Sequence, residues 1–422
     1  MGKTPLFDSF FIGGFESSTH RRKADGRRLD LIESTRHAQF VSEDYHRLHS
    51  AGIRTARDAV RWHLVERAEG RYDWSNVLPM LRAARATGTQ VIWDLLHFGW
   101  PDGIDIFKAA FVDRFARFAH AFASLLRDES DALPFIAPVN EPSFLSFAAG
   151  EKGFFFPFAH RRGDEIKAQF VRAIIAAADA ARDACSGTRI VHTDPTINII
   201  ADPRRPQDRL EAEQYRLSQF AVWDMVAGRL RPELGGDPKY LDILGLNYYI
   251  HNQWIHNNGV LVPTHAQHLP FRYMLREAYD RYSRPLFISE TGIEADVRPD
   301  WLRYIGHEVR AALRMSVPVE GICLYPIIDH PGWEDDRYCP NGLWGYADDR
   351  GERPIYEPLA AEVQRQQALL AALKAPAPGY DEAASSAQPE NDVEALEDMD
   401  WNVINTAAQQ MNEIASRSRT AG

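Results

Sequence analysis

Eight short apolar segments, separated by longer segments with helical periodicity, are the feature that most restricts the fold of this chain. Most of the eight are nearly continuous apolar runs, which is typical of strands that are covered on both faces. The intervening segments space their apolar residues as helices do and commonly end at glycine or proline, as the segment 74–88 does at Gly88. The predicted strands are FFIGGFE (10–16), RTARDAV (54–60), QVIWDLLHF (90–98), FIAPVNEP (135–142), RIVHTDPT (189–196), ILGLNYYI (243–250), PLFISETG (285–292) and GICLYPIID (321–329).

Strands that alternate with helices in this way over about 360 residues predict an α/β fold, a (β/α)8 TIM barrel with enlarged βα loops. A doubly wound sheet is the alternative, but no GxGxxG or GxxxxGK[ST] motif follows the first strand. In a barrel the C-terminal ends of the strands form the active-site face, so polar residues that end apolar strands are expected to be functional. Asn140 and Glu141 end the fourth predicted strand, and Glu290 ends the seventh.

Charge and cysteine content argue against several classes of protein. The net charge of −11 disfavours a nucleic-acid-binding protein, because binding to phosphates requires a basic face. Three widely separated cysteines with no CxxC spacing disfavour a disulfide framework or a zinc site and favour a reducing compartment. No secretory signal or membrane-spanning run is recognisable, so we expect a cytoplasmic protein without a membrane partner, metal or cofactor. The sequence leaves its oligomeric state open.

The barrel domain is predicted to span residues 1–370. A segment rich in Ala, Pro, Ser and acids follows, and it predicts a flexible linker over 371–391. From residue 375 onward nine acidic residues stand against two arginines, so seven of the eleven net negative charges lie there. Residues 392–422 form an acidic tail whose weak helical periodicity is compatible with a short docking helix or with partial disorder.

Two carboxylates are placed where they can act together. Glu141 and Glu290 end predicted strands four and seven, and in a closed barrel these ends face each other across the central cavity. Cleavage of a glycosidic bond requires two such carboxylates, one to protonate the leaving oxygen and one to attack or stabilise the anomeric carbon. Either glutamate alone is equally compatible with a surface residue at a strand end, and the tripeptide NEP alone is a weak signal.

Six short motifs follow one another at the ends of the predicted strands, and together they carry a resemblance. They are RDAVRW (57–62), HFGWP (97–101), NEP (140–142), GLNYY (245–249), ISETG (288–292) and IIDHPGW (327–333). In this order they resemble the motifs of the family 1 glycoside hydrolases of clan A, the β-glucosidase and β-galactosidase barrels, over about residues 10–360.

The resemblance implies a retaining β-glycosidase acting on a carbohydrate, with Glu290 as nucleophile and Glu141 as general acid. Arg57 would keep Glu290 ionised, Tyr249 would donate a hydrogen bond to it, and Asn140 would bind the sugar 2-OH. The other residues that the resemblance places at the substrate are His97, Asn247, Tyr325 and Trp333. The structural alternatives to substrate binding are an ordinary ion pair for Arg57 and ordinary packing or a satisfied polar contact for His97 and Trp333.

The sequence departs from the family pattern on the sugar-binding side. Gly332 occupies the place of a glutamate that grips the sugar O4 and O6, Tyr325 that of a tryptophan, and His20 lies where a glutamine is expected. Glu334, Asp329 and His20 are the candidates to replace the missing contacts. The glycone is therefore expected to differ from plain glucose.

Two further features have more than one interpretation. Five basic residues follow the first strand, and they would either bind an acidic or phosphorylated sugar or form a solvated loop: Arg21, Arg22, Lys23, Arg27 and Arg28. His192 and Asp194 end the fifth predicted strand and are candidates to line the cleft.

Three other functions compete with hydrolysis by this mechanism. A catalytically silent carbohydrate-binding barrel would be expected to lack Glu141, Glu290 or Arg57, and all three are present. A transglycosylase would use the same intermediate. A metal-dependent hydrolase would require an HxH pattern after the first strand, where His20 is the only early candidate.

Overall fold

Residues 5–374 are described by the structure, a computed structural model, and their centre is a closed barrel of eight parallel strands. All eight predicted strands are confirmed, and the barrel prediction with them. Each strand is hydrogen-bonded to its neighbours in chain order, and the first strand closes the barrel against the eighth. The barrel strands are β1 (Phe11–Gly14), β2 (Thr55–Ala59), β3 (Gln90–Leu96), β4 (Phe135–Val139), β5 (Arg189–Pro195), β6 (Ile243–Asn247), β7 (Leu286–Thr291) and β8 (Val319–Leu324).

Helices follow the strands and cover the outside of the barrel. Long helices form where the sequence has apolar residues at three- and four-residue spacing, as in the helix Ala109–Glu129, which buries Phe111, Phe115, Phe118 and Phe122. The helices are α1 (Leu31–Ser34), α2 (His37–Ser50), α3 (Trp62–Val65), α4 (Leu78–Thr87), α5 (Ala109–Glu129), α6 (Pro142–Ser146), α7 (Gly163–Ala184), α8 (Arg209–Leu217), α9 (Ala221–Val226), α10 (Phe271–Tyr282), α11 (Arg298–Arg314) and α12 (Glu357–Lys374).

Gly88 ends α4 as the sequence predicts. Its φ of 70° and ψ of 32° are left-handed, a conformation that glycine adopts without the steric cost that a Cβ brings.

The inside of the barrel is filled by its own apolar cluster, separate from the larger core between strands and helices. Side chains alternate across a strand, so one set from each strand meets at the barrel axis. Tyr325 belongs to this cluster and directly follows β8. The buried members are Phe7, Ile12, Ile92, Phe135, Ala137, Val191, Ile243, Phe287, Cys323 and Tyr325.

Two small sheets are built from the loops that follow the barrel strands. Asn198–Ile200, after β5, pairs with Gln253–Ile255, after β6. His330–Pro331 pairs with Tyr338–Cys339 in the long loop after β8. These loops extend the C-terminal face of the barrel.

The last described helix, α12, runs to Lys374. From residue 375 onward, the predicted linker and acidic tail lie outside the described residues. Within residues 5–374, no helix combines the length and the apolar character that a bilayer crossing requires.

Candidate active site

Glu290, at the C-terminal end of β7, is buried and bonded through both carboxylate oxygens. Arg57 Nη1 donates to Oε1 at 2.8 Å, and the Tyr249 hydroxyl donates to Oε2 at 2.9 Å. Arg57 comes from β2 and Tyr249 follows β6, so closure of the barrel brings together three residues that are far apart in the sequence. The two contacts expected for Glu290, with Arg57 and Tyr249, are therefore observed.

Arg57 is 1% exposed and lies between two carboxylates. Besides Glu290 it binds Asp94 of β3, with Nε at 3.1 Å from Oδ1 and Nη2 at 2.7 Å from Oδ2. Burial works against the charge of Arg57, but Asp94 and Glu290 raise the pKa of its guanidinium well above the usual value. Burial would raise the pKa of Asp94, yet Arg57 and His97 hold it below its usual value.

Sequence reasoning missed Asp94, although it is one of the most connected residues of the site. It is the only acidic residue within the apolar run of β3 and precedes His97 by three positions. A lone acid in a buried strand requires a partner because an unpaired buried charge is costly, and this signal would have identified it.

Glu141 lies opposite this ion pair, at the C-terminal end of β4. Its backbone has φ 46° and ψ 55°, a left-handed conformation that costs a residue other than glycine about 1–3 kcal/mol and is common at functional sites. Its Oε1 accepts a hydrogen bond from Asn247 Nδ2 at 2.8 Å, and Asn247 Oδ1 in turn accepts from Ser289 Oγ at 2.5 Å. Burial and the nearby carboxylate of Glu290 raise the pKa of Glu141 well above its usual value.

These two glutamates and their partners form the carboxylate centre, which is defined here as Arg57, Glu141, Asn247, Tyr249 and Glu290. One glutamate is bound by a guanidinium and a hydroxyl. The other has only an amide donor, and burial and the nearby Glu290 raise its pKa. Two carboxyl groups in environments that separate their pKa values are typical of an acid and nucleophile pair.

Asn140 is fixed by donors on one side of its amide. Oδ1 accepts from Arg57 Nη2 at 2.7 Å and from Thr193 Oγ1 at 2.8 Å, so Nδ2 faces His97. His97 Nε2 lies 3.1 Å from Asn140 Nδ2, and His97 Nδ1 lies 2.9 Å from Asp94 Oδ2. His97 therefore donates from Nδ1 to Asp94 and accepts at Nε2.

Tyr325 lies between the polar network around Arg57 and His97 and the apolar cluster inside the barrel, to which it belongs. Its ring is parallel to that of His97 at a centroid distance of 6.0 Å, and its hydroxyl lies 3.4 Å from His97 Nε2. The guanidinium of Arg57 lies 5.3 Å from the centre of the Tyr325 ring. The tyrosine thus provides one polar atom at the place where the family pattern has a tryptophan.

A second surface, the aromatic wall, is defined here as His20, Phe98, Phe155 and Trp333. The His20 ring stacks on Phe155 at 3.9 Å and meets the Trp333 ring edge-to-face at 5.2 Å. Phe98 follows His97 and contacts Trp333 at 5.6 Å, which joins the wall to the network around Arg57. A backbone hydrogen bond of 3.2 Å from Thr19 to His97 ties the residue before His20 to the same place.

The wall contains buried polar atoms that have no partner. His20 is 1% exposed, and neither of its ring nitrogens is hydrogen-bonded among the described residues. The same is true of Trp333 Nε1. Burial is the main reason why the pKa of His20 falls to about 3, so its imidazole is neutral at pH 7. Such groups are rare in native proteins and call for an explanation.

Gly332 and the two candidate carboxylates near it, Asp329 and Glu334, have different surroundings. A Cβ placed on Gly332 would lie 2.4 Å from Asp335 Oδ1, so a side chain at this position would point toward Asp335. Asp329 is buried and accepts from the Tyr338 hydroxyl and, at 2.7 Å, from the backbone of Gly342. Glu334 is exposed, and its backbone oxygen accepts from Arg22.

The basic residues after β1 are largely paired with aspartates. Arg21 and Arg28 bind Asp102 at 2.6 and 2.7 Å. Arg22 binds Asp25 and Asp336, and Arg27 also binds Asp336. Three aspartates thus pair with four of the five basic residues, which reduces the positive charge of this loop surface.

The two residues at the end of β5 have different surroundings. His192 Nε2 donates to the backbone oxygen of Tyr240 at 2.7 Å, and burial lowers the pKa of His192 to about 4. Asp194 accepts two hydrogen bonds from Ser143, beside Glu141. Within residues 5–374, no group of three or more His, Cys, Asp or Glu side chains is arranged to hold a metal ion.

This chain is similar in fold to several solved structures. No protein-family model and no curated protein sequence matches it. A β-glucosidase from Thermotoga maritima bound to glucoimidazole is similar, with a TM-score of 0.68, 14% identity, and coverage of 86% of this chain and 99% of that one. The same enzyme bound to castanospermine has a TM-score of 0.67 and 15% identity, and the match covers 86% of this chain and 99% of that one. A structure described as a family 1 β-glucosidase of that organism has a TM-score of 0.68 and 14% identity, with coverage of 87% of this chain and 99% of that one.

The chain has the fold of the family 1 β-glucosidases. At this level of identity the comparison establishes the fold, and the activity has to be argued from the site.

Proposed function

We propose that this protein is a retaining β-glycosidase that hydrolyses O-glycosidic bonds by double displacement. The observation that carries the proposal is the asymmetric pair in the carboxylate centre. Glu290 is bound by Arg57 at 2.8 Å and Tyr249 at 2.9 Å, while burial and Glu290 raise the pKa of Glu141 and so favour its protonated form. A charged nucleophile opposite a neutral acid is the starting state that this mechanism requires.

In the first step an oxygen of Glu290 attacks the anomeric carbon and the bond to the leaving oxygen breaks. Glu141 gives its proton to that oxygen, so the aglycone leaves as a neutral alcohol and Glu141 becomes a carboxylate. Formation of the glycosyl ester removes the negative charge of Glu290. The main electrostatic reason for Glu141 to stay protonated disappears at the moment when it must act as a base.

In the second step Glu141 takes a proton from water, and the water oxygen attacks the anomeric carbon. The ester bond breaks, Glu290 regains its charge, and Glu141 regains its proton. Two inversions at one carbon give net retention. Asn140, fixed by Arg57 and Thr193, would donate its second N–H to the sugar 2-OH, a contact that strengthens in the oxocarbenium-like transition state.

The glycone is proposed to be a neutral sugar other than plain glucose. Three observations support this. The aromatic wall presents neutral polar atoms, His20 and Trp333 Nε1; the position of Gly332 supplies no side chain; and Asp329 is already engaged by Tyr338 and Gly342. Hydroxyls held by neutral donors are bound less strongly than hydroxyls held by a carboxylate, whose hydrogen bonds contribute about 1.5–3 kcal/mol each.

An anionic or phosphorylated glycone is disfavoured by the same surroundings. The arginines nearest to His20 in the loop after β1 are paired with Asp25, Asp102 and Asp336. A sugar phosphate would have to displace one of these aspartates before it gained a cation. A neutral glycone with an apolar face meets the rings of Phe155 and Trp333 without that cost.

We also propose that the protein acts in the cytoplasm on a carbohydrate, without nucleic acid, membrane, cofactor or metal. The three cysteines Cys185, Cys323 and Cys339 are free thiols, which suits a reducing compartment. The net charge of −11 is unfavourable for binding to nucleic acid.

A panel of 4-nitrophenyl β-glycosides tests this function. Glucoside, galactoside, xyloside, 6-deoxygalactoside, glucuronide and 6-phosphoglucoside are compared by kcat/KM, with Glu290→Ala as the blank for each. We expect turnover of at least one neutral glycoside other than glucoside, and little of the two anionic ones. No turnover of any member would contradict the hydrolase, whereas kcat/KM for glucoside at or above about 10⁵ M⁻¹s⁻¹ would contradict only the proposed glycone.

A further inference from the structure

Asp194 is a buried carboxylate that the proposed mechanism does not use, and it lies beside the residue that would act as the acid. It is 0% exposed, at the C-terminal end of β5. Oδ1 accepts from the backbone N–H of Ser143 at 3.1 Å, and Oδ2 accepts from Ser143 Oγ at 2.5 Å. Ser143 is two residues after Glu141 and lies in the first turn of α6.

The first turn of α6 lacks a cap of its own. Glu141 occupies the N-cap position, but its side chain makes no capping hydrogen bond there and is bonded instead to Asn247. The free N–H groups at a helix N-terminus require an acceptor, and a carboxylate is the best suited to it. Asp194 supplies that acceptor from a neighbouring strand.

We propose that Asp194 is a positioning residue for Glu141, because it holds the turn that carries the acid. The inference rests on the proposed function, because it assigns a role relative to the acid of that reaction. The residue before Asp194 acts on the same turn: the Thr193 backbone oxygen accepts from Glu141 N at 3.0 Å, and Thr193 Oγ1 donates to Asn140 at 2.8 Å. The end of β5 thus holds Asn140, Glu141 and Ser143 together.

The left-handed backbone of Glu141 explains why such a clamp is required. A residue other than glycine leaves this conformation unless its surroundings fix it. With Thr193 on one side and Asp194 on the other, the turn cannot relax without breaking three hydrogen bonds. The side chain of Glu141 is thereby left free to face the substrate.

The charges around Glu141 give Asp194 a second effect. Glu290 of β7 and Asp194 of β5 disfavour a charge on Glu141, while Arg57 of β2 and the amide of Asn247 favour it. Asp194 itself is surrounded by the two Ser143 donors and, farther away, Lys167 of α7. Burial raises the pKa of Asp194 to about 7, so its charge develops as the pH passes neutrality. It therefore opposes loss of the proton from Glu141 on the alkaline side.

Three variants separate position from charge. Asp194→Asn removes the charge and keeps an acceptor for the Ser143 N–H, while its amide NH₂ replaces the oxygen that accepts from Ser143 Oγ. Asp194→Ala removes both the charge and the acceptor, and Ser143→Ala removes only the hydroxyl contact. Asp242→Asn is the control, since Asp242 is a half-buried aspartate bound to Arg189 at 2.7 and 2.8 Å, next to the start of β6 at the other end of the barrel.

For each variant we would measure the pH dependence of kcat/KM on two substrates, one with a good leaving group and one whose leaving group needs protonation. In Asp194→Asn, the alkaline limb of the pH profile of kcat/KM, which reports loss of the proton from Glu141, is expected at a pH lower by about 0.5–1 unit. The reason is that one negative charge near Glu141 is lost. Asp194→Ala is expected in addition to lower kcat/KM about tenfold or more on the substrate that needs protonation, and less on the other, within the range of general acid catalysis. The Asp242→Asn control is expected to change neither the alkaline limb of the pH profile nor the ratio of kcat/KM between the two substrates.

An unmoved alkaline limb in Asp194→Asn, with equal losses on both substrates in Asp194→Ala, would overturn the proposal and leave Asp194 a purely structural residue. A titration of the ¹³C-labelled Glu141 carboxyl by NMR, identified by its loss in Glu141→Gln, gives the same answer without turnover. Failure of the proposed function is recognised separately, because wild-type protein would then hydrolyse no glycoside while the NMR titration still reports on Asp194. If Asp194→Ala does not fold, Asp194→Asn and Ser143→Ala decide.

Discussion

The carboxylate centre and the aromatic wall lie on the same face of the barrel, but they differ in how their polar atoms are satisfied. In the carboxylate centre, both oxygens of Glu290 and the Oε1 of Glu141 are bonded to protein donors. In the aromatic wall, His20 and Trp333 Nε1 are buried without a partner. The donors of the first region are already paired with its carboxylates, whereas polar atoms of the second are unpaired among the described residues.

This difference indicates what each region does. Groups that stabilise a developing charge act best when they are already fixed, because no reorganisation is then needed during the reaction. Groups that recognise a substrate must offer free donors and acceptors, and a buried unpaired atom costs the protein about 1–3 kcal/mol until a ligand pairs it. Internal hydrogen bonds thus fix the carboxylate centre, whereas polar atoms of the aromatic wall remain available to a ligand.

The strongest test of the carboxylate centre is removal of the nucleophile. Glu290→Ala is expected to lower kcat on every substrate by about 10⁵-fold or more, the scale seen when a nucleophile is deleted. Azide should restore turnover and give a glycosyl azide of inverted configuration, because a small anion fits the space left by the carboxylate. Full activity in this variant, or an azide product of retained configuration, would remove Glu290 from the mechanism.

The two carboxyl groups should be distinguishable by leaving group. Glu141→Ala is expected to lower kcat/KM by about 10²–10⁴-fold on substrates that need protonation and far less on substrates with good leaving groups. The ratio of the two rates is the measurement. Equal damage to both kinds of substrate would refute the assignment of Glu141 as the acid.

Two substitutions, each of which removes one hydrogen-bond donor, compare the two regions directly. Tyr249→Phe removes a donor to a charged carboxylate, and the expected loss in kcat/KM is about 10- to 150-fold, equivalent to about 1.5–3 kcal/mol. Trp333→Phe removes a donor that is unpaired in the free protein, and we expect a loss of about tenfold or less.

Thermal unfolding without ligand completes this comparison. Tyr249→Phe should lower the Tm because it leaves Glu290 Oε2 without its bond, whereas Trp333→Phe removes an unpaired donor with part of a packed ring and should lower the Tm less. The opposite ranking, with Trp333→Phe the more destabilising change and kcat/KM unaffected, would show that the aromatic wall is only packing.

The sequence predicted what depends on local pattern. The eight strands follow from apolar runs, and the end of α4 follows from Gly88, because these features are determined by neighbouring residues. The association of Arg57, Tyr249 and Glu290 was implied by the resemblance of the strand-end motifs to those of the family 1 glycoside hydrolases, and the three side chains lie together in the structure.

Other features depend on contacts between distant parts of the chain. Arg22 and Arg27 are neutralised by Asp336, more than 300 residues away, so the sequence could not decide between a phosphate site and a paired loop. The direction in which a side chain at position 332 would point is set by the hairpin His330–Cys339. That it would point toward Asp335 is visible only in three dimensions. Asp194 was recognised as the end of a strand, but its bond to Ser143 requires the turn after β4 to be known.

The central claim, that Glu290 forms a covalent intermediate which Glu141 helps to form and to hydrolyse, is tested most directly by the anomer that is released first. ¹H NMR of the early reaction with a β-glycoside that the panel identifies as a substrate shows this before mutarotation. The account predicts that the β anomer appears first and the α anomer only later. An α anomer formed first would mean a single displacement by water and would contradict the mechanism.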